Sequence, residues 1–366
     1  MAKRLNHPVL SQRALNRALL ARQYLLQRVN IPVLGLIEAL VGLQAQAPNP
    51  PYFGLWSRLE RFEQQQLSGL FETRQVVRIA LLRSTIHLVS AGDCLGLRPL
   101  LQPVLERGFQ SNFGKQLPEI DQAALIDYGR RLVEAQPQTF QALGLLLQER
   151  WPSYPAAALA QALRTWLALV QVPPRGLWAT SGAAAHTTAE HWLGMPLATE
   201  PDLAQLVRRY LAAFGPASVN DMQAWSGLTR LSSVFNQLRS ELVCFCDEQG
   251  RELFDLPDAP RPSAETPAPP RLLAEFDNIL LGHADRSRIL SESYRQRLFT
   301  SNGLIPGSIL VDGFVVGMWK LQQPESSLKL HLFEPVSEAD RQGLAQEAVN
   351  LLHFATNTTD PIIRFE

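Results

Sequence analysis

Two glutamines one residue apart, Gln44 and Gln46, close an apolar helical pattern (Val33, Leu36, Ile37, Leu40, Leu43) and stand directly before Pro48-Asn-Pro-Pro51. Glutamine does not titrate, so the pair cannot act as a general acid or base, but its amides can hold a water or a sugar oxygen in a fixed place. In a regular helix, residues i and i+2 diverge by about 200°. Where the helix unwinds ahead of the prolines, the two amides converge on one pocket. Further on, Arg83, Thr85 and His87 alternate with Ser84, Ile86 and Leu88. On a strand they share one face, and a guanidinium, a hydroxyl and an imidazole in a row suit a phosphate backbone. A solvated strand face or a buried polar network fits the same spacing.

Other chemistries lack their signatures. There is no phosphate-binding glycine loop, zincin helix or nucleophile elbow; Gly303-Leu-Ile-Pro-Gly307 reads as a loop. The seven histidines include no i,i+4 pair around a glutamate, and His186 and His191 have only Glu190 beside them. Cys94, Cys244 and Cys246 read as small buried hydrophobes, without a second ligand pair for zinc or a disulfide framework. The expectation is an enzyme or binding protein with no metal and no nucleotide cofactor.

A chain of 366 residues, 46% hydrophobic and 19% charged, is long enough for several modules with shared cores. No apolar run reaches the roughly 18 to 20 residues of a membrane span, and the opening MAKRLNHPVLSQRALNRALL lacks a signal-peptide pattern. The chain therefore reads as cytoplasmic. Its net charge of zero conceals an asymmetry: residues 1–115 carry 14 Lys/Arg against 6 Asp/Glu, residues 116–270 carry 11 against 16, and residues 271–366 carry 9 against 12. A basic front with arginine dominant suits a polyanion partner, although GC-rich codon usage gives the same bias.

The elements that must position these residues follow a recurring order of helix, turn, helix and two short strands, which is the order of a winged helix. The clearest copy spans 202–256. Ser218-Val-Asn-Asp221 starts a helix, Ser226-Gly227-Leu228 ends it, and Leu242–Cys246 and Glu252–Leu256 form a hairpin. A second copy spans 137–182: Thr139 caps one helix, Pro155 opens the next, and the strands turn at Pro174-Arg175-Gly176, with Arg175 at the wing tip. The first copy has helices near 10–28, 32–46 and 63–71, then a hairpin from Val77–Leu81 and Ser84–Val89. Five prolines in 258–270 mark a linker. Beyond it, Asp312-Gly313 signals a hairpin, Ser327–Phe333 alternates as a strand, and Glu338–Phe354 is an amphipathic helix, which together predict a small sheet or barrel with one helix.

Five segments in this order, Gly42-Leu-Gln-Ala-Gln-Ala-Pro-Asn-Pro-Pro-Tyr52, Arg83-Ser-Thr-Ile-His-Leu-Val89, Ala213-Phe-Gly-Pro-Ala-Ser218 with Asp221 and Trp225-Ser-Gly-Leu228, Phe276-Asp-Asn-Ile-Leu-Leu-Gly-His-Ala-Asp-Arg286, and Val311-Asp-Gly-Phe-Val-Val-Gly-Met-Trp319, closely resemble the AlkZ/YcaQ family of bacterial winged-helix DNA glycosylases. The resemblance covers residues 10–355. It implies an α+β fold of three tandem winged helices (1–115, 116–198, 199–262) with a C-terminal β-barrel-like module (263–366), arranged in a C shape around a concave DNA-binding surface. It also implies hydrolysis of the N-glycosidic bond of N7-alkylated purines in double-stranded DNA. AlkZ-type members unhook interstrand crosslinks made by bifunctional alkylators such as azinomycin. Their catalytic Gln-apolar-Gln motif falls on Gln44 and Gln46, whereas the YcaQ subgroup has Asp in the second place, so this chain sides with AlkZ at that residue.

The implied chemistry fits the residues. An N7-alkylguanine is already cationic and leaves without a strong proton donor, so the protein has to hold a water and stabilise a developing oxocarbenium. Gln46 is expected to position the water that attacks C1′, and Gln44 to hydrogen-bond the same water or the deoxyribose. A crosslinked base cannot be flipped far, which calls for an open cleft. Arg78, Arg83, His87 and Arg175 are the expected DNA contacts, and residues 277–286 are expected to tie the barrel to the helical part. The protein is expected to be a nucleoid-associated monomer. Two other classes share these features: a winged-helix regulator or damage binder without catalysis, and a resistance protein that stacks an aromatic genotoxin on Trp178, Trp192, Trp225 or Trp319.

Overall fold

Short side chains placed just ahead of helical patterns do what their chemistry dictates in the computed structural model, which describes residues 7–299, 303–322, 325–356 and 358–366. Thr139 Oγ1 accepts from the backbone N–H of Ala142 at 3.2 Å and opens the helix Phe140–Arg150. Ser218 and Asp221 exchange reciprocal bonds at the start of Val219–Ser226, and Gly227, at φ 81°, ends that helix. The fold is mixed α+β. No helix among the described residues is long and apolar enough to cross a membrane.

The hairpins are organised differently from their linear reading. The strands Val76–Ala80 and Ile86–Ser90 pair antiparallel, as expected. They belong to a six-stranded sheet that also holds Leu43–Gln44, Leu169–Gln171, Ala185–Thr188 and Gln138–Thr139, so the first two helix-hairpin units share one sheet. The second hairpin does not turn at Pro174-Arg175-Gly176. Its return strand is Ala185–Thr188, because Pro173 and Pro174 offer no N–H to a ladder. Trp178 packs against Tyr52, ring centroids 5.0 Å apart. The third hairpin, Val243–Asp247 with Glu252–Asp255, forms as read, and gains a parallel neighbour, Val9–Leu10, which sequence analysis did not foresee.

After the linker, five strands pair in the order Arg271–Leu273, Gly307–Val311, Phe314–Gln322, Ser327–Leu332, Ile362–Phe365. Asp312 and Gly313, at φ 47° and 80°, make the tight turn. The pairings end at the first and last of these strands, so among the described residues this is an open sheet rather than a closed barrel. Its inner face is covered by the helix Glu338–Thr356, whose Leu344, Ala348, Leu351 and Leu352 are buried against Leu272, Ile309, Leu328 and Leu330.

The basic front turns out to be largely internal. On the helix Gln12–Arg22, Arg13 and Arg17 both pair with Asp312, and Arg22 grips Asp255 at 2.7 and 2.8 Å. The same three guanidiniums donate to the carbonyls of Ala264, Thr266 and Pro260, which fixes the proline-rich segment as an ordered crossing over this helix. Arg58 forms a two-pronged pair with Asp277 at 2.8 Å on both arms, and neither side chain is exposed. A buried guanidinium without acceptors is too costly to keep, so these positive charges hold the modules together instead of facing a polyanion.

Asp277→Ala leaves the Arg58 charge buried and unpaired and is expected to cost about 3–5 kcal/mol. The midpoint of urea unfolding measures this, and a loss below about 1 kcal/mol would contradict the assignment.

Candidate functional site

The helix Val33–Ala39 stops before the two glutamines. Val41 and Gly42 both adopt positive φ, 56° and 87°, and the Gly42 N–H closes the helix end on the Ile37 carbonyl at 2.9 Å. A Cβ at position 42 would lie 2.6 Å from Val89 Cγ1 and 2.8 Å from the Leu88 carbonyl, so only glycine allows this approach. The chain then runs extended. Leu43 pairs with Leu88 and Gln44 with His87, and the Ala45 N–H donates to the Ile86 carbonyl at 2.7 Å. Gln44 is the last residue of this short strand and Gln46 lies in the bend that follows it, while Leu43 and Ala45 are buried. The two amides follow a strand rather than a frayed helix, and both are held by the segment 83–86. Nor do the prolines bar further helix: Pro50 and Pro51 open Pro50–Trp56, where first-turn N–H groups need no partner.

Hydrogen-bond partners settle the orientation of both amides. Gln44 Oε1 accepts from Arg83 Nη2 at 2.7 Å, and Gln46 Oε1 accepts from the Ile86 backbone N–H at 2.7 Å. Neither donor can accept, so the oxygens are identified by their partners. Each Oε1 keeps a second lone pair. Among the described residues no hydrogen bond engages either Nε2. Gln44 is buried at 8% exposure, whereas Gln46 is exposed.

Arg83, Thr85 and His87 do not share a strand face. Residues Leu82–Ser84 form a helical turn in which Arg83 and Ser84 are left-handed, at φ 53° and 61°, and Thr85 Oγ1 closes it on the Leu82 carbonyl at 3.0 Å. Only His87 lies in the strand. It is enclosed, its Nδ1 is 3.0 Å from the Thr85 carbonyl, and burial together with the nearby Arg83 charge pushes its pKa down to about 3. It is neutral under physiological conditions. Arg78 is likewise enclosed at 1% exposure, with Nη2 on the Ala45 carbonyl at 2.6 Å and its pKa lowered to about 10 by burial and the neighbouring Arg175 charge. In this structure both of these expected DNA contacts are enclosed, Arg78 holding the Ala45 carbonyl and His87 pairing with Gln44 in the ladder. Arg175 lies in the loop 172–184, half-buried, with Nη1 on the Gly182 carbonyl at 2.9 Å.

Two neighbours, Arg164 and Arg107, carry no mark in the sequence. Arg164 donates to the Ser84 carbonyl at 3.0 Å, and Arg107 to the Gly227 carbonyl. The Arg286 charge lowers the pKa of Arg83, after the larger effect of burial, to about 10. Among the described residues none of Arg83, Arg107, Arg164 and Arg286 forms an ion pair with a carboxylate, in contrast with the arginines of the first helix. Asn278 Nδ2 donates to the Gly42 carbonyl at 2.7 Å and fixes the turn ahead of Gln44. Arg107 and Arg164 carry no sequence signal, since their carbonyl partners, Gly227 and Ser84, are distant in the chain.

Elsewhere, His7, Cys244 and Glu252 place ligand-type atoms within 4.8 Å of one another. The Arg239 guanidinium already forks onto Glu252 at 2.9 and 3.0 Å and lies 3.7 Å from Cys244 Sγ, so the acid there is neutralised. The four tryptophans do not gather into one stacking site. Trp225 packs with Tyr210 and Phe214, Trp319 donates to the Leu273 carbonyl at 2.8 Å, Trp178 lies against Tyr52 and Phe53, and Trp192 is covered by Arg74.

The family profile for AlkZ-like DNA glycosylases matches residues 37–354, a stretch that holds both glutamines, Arg83 and four of the five strands of the C-terminal sheet. The chain belongs to this family and is a DNA glycosylase. An interstrand DNA cross-link repair glycosylase of Streptomyces sahachiroi is 25% identical over 331 residues, which span 83% of this chain and 86% of that protein. The solved structure of the S. sahachiroi DNA glycosylase AlkZ superposes with a TM-score of 0.81 at 19% identity, covering 98% of this chain and 100% of that one, so the two share their fold.

Burial holds the pKa values of His87, His186 and His283 below the ordinary 6.5, His186 at about 4. The unfolded chain therefore takes up protons that the folded chain refuses. This contribution to stability is complete above pH 6.5 and is lost as the pH falls toward 3 to 4. Denaturant midpoints measured across this range are expected to fall with pH, less steeply in His87→Gln; an unchanged slope in that variant would refute the buried neutral imidazole.

Proposed function

We propose that this glycosylase hydrolyses the N-glycosidic bond of N7-alkylated purines in double-stranded DNA and unhooks interstrand crosslinks formed through such purines. The observation that carries the reading is the pair of amides at the end of a short strand, with polarity fixed by Arg83 and the Ile86 N–H, among arginines without carboxylate partners. The cross-link repair named for the S. sahachiroi relative supports the same substrate class.

The chemistry follows from the substrate's own charge. A cationic N7-alkylpurine departs as a neutral base, so the site needs no proton donor, and neutral His87 supplies none. The free lone pair of Gln46 Oε1 accepts from the attacking water and holds it toward C1′, and Gln44 bonds the same water or the deoxyribose; as the C1′–N bond breaks and the C1′–O bond forms, the water's proton passes to solvent at the exposed Gln46. Without a carboxylate at the amides the acceleration is modest, which favours labile lesions over undamaged bases. The exposure of Gln46 suits a base that remains tethered to the opposite strand.

The same reading takes 1–115, 116–198 and 199–262 as three winged-helix modules and 263–366 as the β-module, in a C shape whose concave side receives the duplex. Arg175 and the exposed Arg107 neutralise phosphates there. The protein acts as a cytoplasmic, nucleoid-associated monomer, with no metal or nucleotide cofactor.

Release of free base from duplexes carrying 7-methylguanine or an N7–N7 crosslink tests the proposal. Gln46→Ala is expected to lower the single-turnover rate roughly 10- to 100-fold, with DNA affinity within about threefold of wild type. Wild-type release that is indifferent to both Gln44→Ala and Gln46→Ala would refute the site. Tight binding without release from either duplex would refute the substrate class and favour a damage binder.

A further inference from the structure

Arg83 was expected to touch DNA, but both arms of its guanidinium are turned inward. Nη2 donates to Gln44 Oε1 at 2.7 Å, and Nη1 donates to the Trp225 carbonyl near the end of the helix Val219–Ser226. The residue sits in a left-handed turn, at φ 53° and ψ 21°, a conformation that a non-glycine residue holds only when its surroundings impose it. They do so here from two sides. Arg164 Nη2 holds the Ser84 carbonyl at 3.0 Å, and Gly227 lies so close that a Cβ there would be 3.3 Å from Arg83 Cα and 2.8 Å from Val104 Cγ1.

A guanidinium on Gln44 Oε1 has two chemical consequences. It forbids rotation of the amide that would exchange oxygen and nitrogen, because Nε2 cannot accept from Arg83. It also draws electron density from the carbonyl, so that oxygen is a poor partner for a developing oxocarbenium while Nε2–H is a stronger donor. Gln46 is the complement: its Oε1 takes only a neutral backbone N–H and keeps a lone pair for a water proton.

We propose that Arg83 is a positioning residue that fixes Gln44 as a hydrogen-bond donor, so that the attacking water is held between the Gln44 Nε2–H and Gln46 Oε1. The donor occupies one water lone pair, the acceptor takes one water hydrogen, and the remaining lone pair faces C1′. Through Trp225 the same guanidinium makes the orientation of Gln44 depend on the docked helix Val219–Ser226. This inference rests on the glycosylase reading of the site.

The test is a cycle of Arg83→Met and Gln44→Ala, with base release from a 7-methylguanine duplex measured under single turnover and DNA affinity measured at several salt concentrations. Arg83→Met is expected to slow release about tenfold or more in the wild-type background and to have little further effect on Gln44→Ala, with DNA affinity and its salt slope unchanged. Arg83→Lys, which keeps one donor, is expected to restore part of the rate. Gln44→Glu retains the bond to Arg83 but replaces the donor by an acceptor, and is expected to be as slow as Gln44→Ala. Additive losses, or a weaker affinity with a salt slope reduced by about one, would show that Arg83 contacts phosphate and would overturn the proposal. Faster release by Gln44→Glu would overturn the donor assignment and favour a charge acting on the oxocarbenium. Should wild type release no base, the glycosylase reading fails and this inference with it; wild-type release unaffected by Arg83→Met overturns the inference alone.

Discussion

A guanidinium taken out of water has to be given acceptors, and the kind it receives divides this molecule. Toward the first helix the acceptors are carboxylates: Asp312 for Arg13 and Arg17, Asp255 for Arg22, Glu347 for Arg28 and Asp277 for Arg58. Each of these pairs joins residues more than two hundred positions apart, so the ion pairs make the N-terminal helices, the proline-rich crossing and the C-terminal sheet one body. A buried pair of this kind contributes modest net stability, but breaking it is expensive, which makes the arrangement of the partners hard to change.

Around the glutamines the acceptors are neutral. Arg78 binds the Ala45 carbonyl, Arg164 the Ser84 carbonyl, Arg107 the Gly227 carbonyl, and Arg83 an amide and a carbonyl. These hydrogen bonds anchor the side chains but leave their charge uncompensated, and Arg78 Nε and Nη1 are buried without a partner, so a positive field surrounds amides that no carboxylate bonds among the described residues. Such a field attracts phosphate and opposes a developing cation. In the proposed reaction the backbone phosphates lie outside the reacting sugar, and no new charge is created there, because the lesion brings its own positive charge, which passes from the purine to the sugar as the neutral base departs.

The parts of the fold that were legible in the sequence are those set by local chemistry. Thr139, Ser218 with Asp221, Gly227 and the Asp312-Gly313 turn act on neighbours within a few residues, and each does in space what its spacing indicates. The two-residue strand at Leu43–Gln44 was not legible, since its partner lies more than forty positions away. Left-handed Arg83 and Ser84 bear no mark of that conformation, so a run that alternates on paper became strand, turn and strand. The proline-poor alternation of polar and apolar residues was therefore a true sign of a hairpin and a false sign of which side chains share its face. The fate of each arginine was equally hidden, because composition counts charges and says nothing of distant acceptors.

The connection between the first two strands of the C-terminal sheet takes part in building the site although it supplies none of the paired amides. Asp277 and Asn278 are adjacent, and they hold two different points of the first unit: Arg58, after the helix Pro50–Trp56, and the carbonyl of Gly42, two residues before Gln44. The chain between those points contains both glutamines. With its two ends fixed from the same dipeptide, with Ala45 held by Arg78 and Gln44 held by Arg83, the strand has little freedom to tilt. Two neutral amides without a base beside them have only their placement to offer a reaction, so their usefulness depends on how rigidly they are held. That dependence gives a physical reason for so small a catalytic feature to draw on the turn at 82–84, the end of the helix Val219–Ser226 and the segment that opens the last module.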